Sequence, residues 1–274
     1  MFYNVMPLSN GEILTTFGRS VGVICARGAY RPLGGMTRPF RVLRSACAVA
    51  EDGSVLLGEY LFNADRTPIR IYRYTPGSAN VDVVHTFRAG DVQHVHGIFR
   101  DPFAPGLWCT VGDRPAECRI LYSTDQFRTH TVFGAGDETW RAVSLQFTPD
   151  ALFYGMDAEF QKNFIYRVDR KTGRRDTVTG VEGPIYYSAC LGNDLFFAVT
   201  VEYCPSQEGN SASLWHVDAV SGVATRVAQF QKDRLPVHWF LAGTIDFART
   251  DGSRPEIYLR TTALSPDNSV FSVR

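Results

Sequence analysis

The sequence predicts an all-β fold, a six-bladed β-propeller. Three observations carry this. Strand signals dominate with no long helical periodicity, one strand–turn–strand motif recurs six times, and the last copy ends one strand short. Short runs of Val, Ile, Tyr, Phe and Thr are broken throughout the 274 residues by Gly, Asp, Asn and Pro, the residues that turn a chain.

In chain order the motif reads VMPLSNGEILTTF, ACAVAEDGSVLLGEY, GIFRDPFAPGLWCTV, SLQFTPDALFYGM, SACLGNDLFFAVT and TIDFARTDGSRPEIYLRTT. Its second strands begin near Ile13, Val55, Leu107, Leu152, Leu195 and Ile257. A third strand follows each: VGVICAR, IRIYRYT, RILYSTD, FIYRVDR, SLWHVDA and SVFSVR. Five units continue into a fourth: FRVLR, DVVHTF, THTVFG, DTVTGV and TRVAQF. The sixth unit runs out at Arg274, so the N-terminal MFYNV is expected to supply its fourth strand and close the ring. A recurrence every 42 to 62 residues with one internal order separates this fold from a pair of β-sandwiches. Five or seven blades are the alternative counts, and residues 1–274 form one domain in this reading.

Composition excludes several function classes. Lys plus Arg equals Asp plus Glu, 28 each, so no global field attracts nucleic acid or anionic membrane. No apolar run approaches the roughly 18 residues of a membrane span. The start, MFYNVMPLSNGEIL, lacks a basic segment followed by a long apolar one. A cytoplasmic location is therefore expected, or secretion if a leader has been removed. The six cysteines lie mostly in apolar strand-like runs without CxxC spacing, which points to reduced thiols rather than disulfides or zinc fingers.

Two stretches carry a family likeness. Ser123-Thr124-Asp125-Gln126-Phe127-Arg128-Thr129 resembles an Asp box, S-x-D-x-G-x-T-W, with Phe127 at the Gly position and no Trp after Thr129. Phe40-Arg41-Val42-Leu43-Arg44-Ser45, followed by Asp52-Gly53, resembles the F/Y-R-I-P segment of sialidases without its Pro. The chain thus resembles the sialidase-like, Asp-box (BNR-repeat) propellers. It is also similar to bacterial propellers of this class that carry HxHG, GD…E, WR and Tyr-Gly-x-Asp, here His94-Val95-His96-Gly97, Gly112-Asp113 to Glu117, Trp140-Arg141 and Tyr154-Gly155-Met156-Asp157. The resemblance implies a carbohydrate-related role.

The residues add an independent signal. In a propeller, one face is built from the loops that enter each innermost strand and the loops that join second to third strands. Here those loops carry Arg44, His94 and His96, Trp140 and Arg141, Tyr186 and Tyr187, and His238 and Trp239, with the acids Glu59, Asp113, Glu117, Asp157, Glu159 and Glu202. The opposite loops (SNG, EDG, DPFAPG, TPD, GND, RTDGSR) hold turn chemistry. His94 and His96, one residue apart, would share a strand face. They suit acid/base work at neutral pH, and with Glu59 or Asp113 they could hold a divalent metal.

Arg44 and Arg141 are candidates to grip a carboxylate, and Trp140, Tyr186, Tyr187, His238 and Trp239, with Glu117, to contact a sugar. The catalytic candidates are His94, His96, Glu59, Asp113, Asp157 and Glu202. Three functions follow. The first is a glycoside hydrolase on an acidic oligosaccharide or polysaccharide, which needs two suitably spaced carboxyls. The second is a polysaccharide lyase using a His and a Tyr. The third is a glycan- or protein-binding propeller without chemistry.

Overall fold

The computed structural model describes residues 2–25, 27–248 and 256–273. The fold is an all-β, six-bladed β-propeller, and its helical content among the described residues is three single 3-10 turns, Arg44–Ala46, Pro115–Glu117 and Glu138–Trp140. The chain divides into two compact units, Met1–Arg141 and Ala142–Arg274. No helix of the described residues is long and apolar enough to cross a membrane.

The first unit holds three antiparallel four-stranded sheets. Their strands, in sheet order, are Phe2–Pro7, Ile13–Phe17, Ser20–Ile24 and Tyr30–Pro32; then Cys47–Val49, Val55–Gly58, Ile69–Tyr74 and Val81–Phe87; then Val95–Arg100, Leu107–Val111, Arg119–Ser123 and Thr131–Ala135. The second unit holds Ala142–Phe147, Ala151–Met156, Asn163–Asp169 and Arg175–Val181, then Ile185–Leu191, Asp194–Val199, Ser211–Asp218 and Ala224–Lys232. Its last sheet is Thr244–Phe247, Ile257–Thr262 and Val270–Val273. The turn read at RTDGSR, 249–254, lies outside the described residues.

Two expectations are corrected. The N-terminal segment does not supply a strand to the last sheet. Phe2–Pro7 is one continuous strand and pairs with Ile13–Phe17 as the first strand of the first sheet, from Phe2 opposite Phe17 to Pro7 opposite Ile13. Asn4 pins it there: its buried side-chain amide donates to Thr16 Oγ1 at 3.0 Å and to the Val42 carbonyl at 3.2 Å. Reading MFYNV and VMPL as two strands cut this one in half. The last sheet keeps three strands among the described residues, and the short strand Leu264–Ser265 instead extends the fifth sheet beside Ala224–Lys232. The fourth strand of the first blade is Tyr30–Pro32, not FRVLR. Phe40 and Val42 are buried in the core, and Arg41 exchanges two backbone hydrogen bonds with Tyr60 of the second blade.

Neighbouring blades within each unit meet through the same device. Gly58 ends the second strand of its blade, and a Cβ there would lie 2.5 Å from Val95 Cγ1, where the next blade begins. Gly155 meets Ile185 at the same distance in the second unit. Only a residue without a side chain lets the sheets approach this closely. The packed interior is Leu14, Val55, Leu56, Ile69, Ile71 and Val95 in the first unit, and Phe153, Ile165, Leu195 and Phe197 beside Phe196, Ile245 and Leu259 in the second. Full burial of such side chains contributes about 1.5–3 kcal/mol each. All six cysteines are free thiols, and Cys47, Cys109 and Cys118 are buried.

The Ser123–Thr129 turn closes on itself. The Asp125 carboxylate accepts from Ser123 Oγ at 2.9 Å, Thr129 N at 2.9 Å and Thr129 Oγ1 at 2.7 Å. Phe127 takes φ +65°, the left-handed conformation that favours glycine, and its ring is fully buried. Replacing it by glycine would relieve about 1–2 kcal/mol of backbone strain, whereas losing a buried Phe costs about 3–5 kcal/mol. Burial wins, so Phe127→Gly should lower stability by about 1–4 kcal/mol in denaturant unfolding. An unchanged midpoint would mean the ring is not the reason for the strained backbone.

Candidate active site

His94 and His96 stand where the third blade begins. The strand Val95–Arg100 pairs with Leu107–Val111 so that Val95 faces Val111 and Gly97 faces Thr110, which leaves His96 as a β-bulge. A bulge re-aims the side chain it carries. The backbone on either side is fixed, since Val95 N donates to the Glu59 carbonyl at 2.9 Å and Ser45 Oγ donates to the His96 carbonyl at 2.6 Å. As a result the two imidazoles meet, Nε2 to Nε2, at 2.9 Å. His94 Nδ1 lies 3.0 Å from the Leu61 carbonyl. A carbonyl only accepts, so Nδ1 carries the proton and the neutral ring keeps its lone pair on Nε2.

Asp113 arrives from the adjacent strand. Gly112 ends that strand at φ +97°, and a Cβ there would fall 2.2 Å from the Glu117 carbonyl carbon and oxygen. Glycine is thus required twice over, for its conformation and for its lack of volume. Past this turn the Asp113 carboxylate faces His94 Nε2 at 3.1 Å through Oδ2 and His96 Nε2 at 3.2 Å through Oδ1. Arg141 Nη2 reaches Oδ1 at 3.1 Å. Arg141 follows the Glu138–Trp140 turn, whose first amides are capped by Asp137, accepting from Thr139 N at 2.8 Å.

The centre is buried. Burial alone would raise the pKa of Asp113, but the imidazoles of His94 and His96 beside it outweigh that and hold the carboxyl below the usual range. Burial pushes the His96 pKa down, with Asp113 opposing in part. Asp113 is therefore an anion and His96 resists protonation.

The first unit also contains a cavity of about 510 Å³, whose walls include Arg19, Arg38, Arg41, Tyr60, Phe62 and His94. Tyr60 and His94 lie ring to ring, with centroids 4.0 Å apart. Arg38 is held by Glu59 at 2.8 Å. Arg19 and Arg41 are exposed and have no side-chain partner among the described residues. Phe62 is 94% exposed, an unusual position for a large apolar ring. Asp65 is the acid in this wall, so positive charge prevails.

Of the residues singled out from sequence, His94, His96, Asp113 and Arg141 come together. Glu59 is fully buried in its own network, accepting from Arg38, from Arg70 N at 2.9 Å and from the Tyr72 hydroxyl at 3.0 Å. Glu117 pairs with Arg66 at 2.7 Å. Trp140 packs on Gly134, where a Cβ would be 2.2 Å from its ring. Arg44 lies half-buried in the turn before Cys47.

In the second unit, Asp157 is buried just past the strand Ala151–Met156. Tyr186 and Tyr187 are half-buried at the start of Ile185–Leu191. Glu202 is half-buried, and His238 sits edge-on to Tyr203 and Trp239, each 4.7 Å away. Arg19, Arg38, Arg41, Tyr60 and Phe62 were not singled out as site residues. The pairing of residue 41 with residue 60 brings Arg41 to this wall, and Glu59 holds Arg38 there.

No family model matches the sequence, and the search of curated proteins gives no match. Solved structures do match. The chain is similar to a catalytically inactive histidine-to-alanine virginiamycin B lyase from Staphylococcus aureus with quinupristin, at 15% identity and TM-score 0.64 over 99% of this chain and 79% of that one. It is similar to a streptogramin B lyase at 14% identity and TM-score 0.62, over 100% and 82%. A serine-to-alanine puromycin hydrolase complexed with PGG matches at 11% identity and TM-score 0.58, over 94% and 42%. These likenesses establish the propeller fold, shared here with lyases and a hydrolase.

Removing the Asp113 anion takes a buried, ion-paired carboxylate away from Arg141, which costs about 3–5 kcal/mol. Asp113→Asn should therefore destabilise strongly. Combining it with Arg141→Gln should cost less than the sum of the two, by about 0.5–3 kcal/mol in a double-mutant cycle read by denaturant unfolding. Strictly additive losses would mean the pair is not coupled.

Proposed function

We propose that this chain is an enzyme of the lyase class that acts on an acidic oligosaccharide bound in the arginine-lined cavity. The observation that carries this is the wall of that cavity. It presents two unpaired arginines, Arg19 and Arg41, beside Tyr60 and His94, and His94 belongs to the buried centre with His96, Asp113 and Arg141.

Elimination from a uronate needs three things. A cation neutralises the carboxylate, a base takes the proton on the carbon next to it, and the departing sugar oxygen receives a proton. The electron pair of the broken C–H bond becomes the new double bond as the C–O bond breaks. Arg19 and Arg41 supply the cation, since a guanidinium fork matches a carboxylate. Tyr60, as its phenolate, takes the proton from the carbon beside the carboxylate and passes it to the departing oxygen, so that it ends the turnover as it began. The His94–His96–Asp113 centre beside it sets the local charge. Arg141 acts as a positioning residue for Asp113.

Hydrolysis by two carboxyls fits this wall less well. Glu59 and Glu117 are committed to Arg38 and Arg66, and Asp113 stays ionised, so none of them is a ready general acid. The sialidase-like reading keeps specific support in the Asp-box geometry of Ser123–Thr129 and in Arg41, which occupies the arginine position of the F-R segment. Two of the similar structures are lyases by name.

The test is an assay against polygalacturonate, alginate and hyaluronate, read both by absorbance of the unsaturated uronate and by reducing ends. Elimination gives both signals in step; hydrolysis gives reducing ends alone. Tyr60→Phe should lower kcat by about 10²–10⁴, while Arg41→Gln should chiefly raise KM. Reducing ends without absorbance would make the enzyme a glycosidase, and no turnover across the panel would leave a binding propeller.

A further inference from the structure

His94 Nε2 and His96 Nε2 lie 2.9 Å apart, and each faces a different oxygen of the Asp113 carboxylate, Oδ2 at 3.1 Å and Oδ1 at 3.2 Å. Protons cannot satisfy all three contacts. With one proton, on His96 Nε2, the His94 lone pair still faces a carboxylate oxygen. With Nε2 protonated on both rings, two N–H groups face each other at 2.9 Å. Protonating Asp113 is opposed by Arg141, whose guanidinium lies 3.1 Å from Oδ1. Each arrangement leaves one repulsive contact in a buried site, where such contacts are costly.

A cation at the centre satisfies all three contacts at once. We propose that His94, His96 and Asp113 bind a divalent transition-metal ion. Bonds of about 2.0–2.1 Å to nitrogen and oxygen imply ligand–ligand spacings of about 2.9 Å for adjacent octahedral positions and about 3.3 Å for tetrahedral ones. The observed contacts fall in this range, with both carboxylate oxygens turned to the two imidazole nitrogens. Two imidazoles and one carboxylate suit Zn²⁺, Mn²⁺, Fe²⁺ or Co²⁺ better than Mg²⁺ or Ca²⁺. The Leu61 carbonyl already holds His94 with Nε2 turned toward the site, the outer support that metal-binding histidines use.

One feature opposes binding. His96 Nδ1 is buried and has no hydrogen-bond partner among the described residues, so a bound cation leaves that N–H unpaired. One unpaired N–H is a small penalty beside the binding strength of a metal held by three protein ligands. Three protein ligands leave positions open, as catalytic sites do. With Arg141 balancing Asp113, a bound dication gives the centre a net charge of about +2. The substrate that fits is anionic, as the cavity independently requires. The histidines then act as ligands, and Tyr60 remains the proton carrier.

The inference needs no turnover to be tested. Chelator-treated full-length protein is titrated calorimetrically with Zn²⁺, Mn²⁺ and Co²⁺, and bound metal is counted by mass spectrometry after gel filtration. One ion per chain is expected, with a rise in the thermal midpoint and Co²⁺ absorption bands unlike those of the aqueous ion. His94→Gln and His96→Gln should each lose the stoichiometric ion while keeping the wild-type circular dichroism. If the variants do not fold, the Co²⁺ spectrum of the wild type decides. No stoichiometric binding of any of the three ions overturns the proposal, as does binding that survives in the double variant. A chain that binds metal but eliminates nothing would sink the lyase reading alone.

Discussion

A buried carboxylate organises this half of the protein. The anionic charge of Asp113 cannot sit in a low-dielectric site unless it is answered, and two stretches of chain converge on it, one bearing His94 and His96 and the other Arg141. Each depends on a local backbone device. The bulge turns His96, the Leu61 carbonyl orients His94, a glycine-only turn delivers Asp113, and an Asp-capped turn delivers Arg141. These devices cost conformational freedom, and the paired charge is what keeps them in place.

A second buried carboxylate, Glu59, builds the wall beside it. It anchors Arg38 and the Arg70 backbone, which holds the connection between the first and second blades against Tyr60. Arg41 is then tied to Tyr60 by two backbone hydrogen bonds, 3.1 and 2.8 Å. The same short segment, Glu59 to Leu61, thus fixes an arginine on one side and His94 on the other. Two groups that neighbour in space are far apart in the chain, and the segment between Gly58 and Asn63 brings them together.

Most of the architecture could be read from sequence, because each strand announces itself twice, by alternation and by the turn that follows. The second strands begin at or within one residue of the expected positions. The failures have physical causes. MFYNVMP carries a turn-type residue, Asn4, at its centre, which hid that it is a single strand; Asn4 is in fact a buried clamp. FRVLR has the composition of a strand, but its Phe and Val serve the core directly. At the site, HVHG and GD were visible because histidines one residue apart and a Gly-Asp turn are locally unusual. Arg19, Arg38 and Arg41 were not, since surface arginines are common and their convergence on Tyr60 is set by pairing between blades. By type, Glu59 reads as catalytic and Glu117 as a sugar contact, and only their partners, Arg38 and Arg66, reveal that their charge is already matched.

His94 joins the arginine-lined cavity to the His–His–Asp centre, and the two are proposed to act as one site. A crystal structure of the Tyr60→Phe protein soaked with a galacturonate trisaccharide tests this. A sugar is expected in the cavity, with one carboxylate within hydrogen-bond distance of Arg41 or Arg19, a ring against Phe62, and the bond to be cleaved on the His94 side. A trisaccharide bound only elsewhere, for instance on the exposed rings of Tyr203 and Trp239, would contradict it.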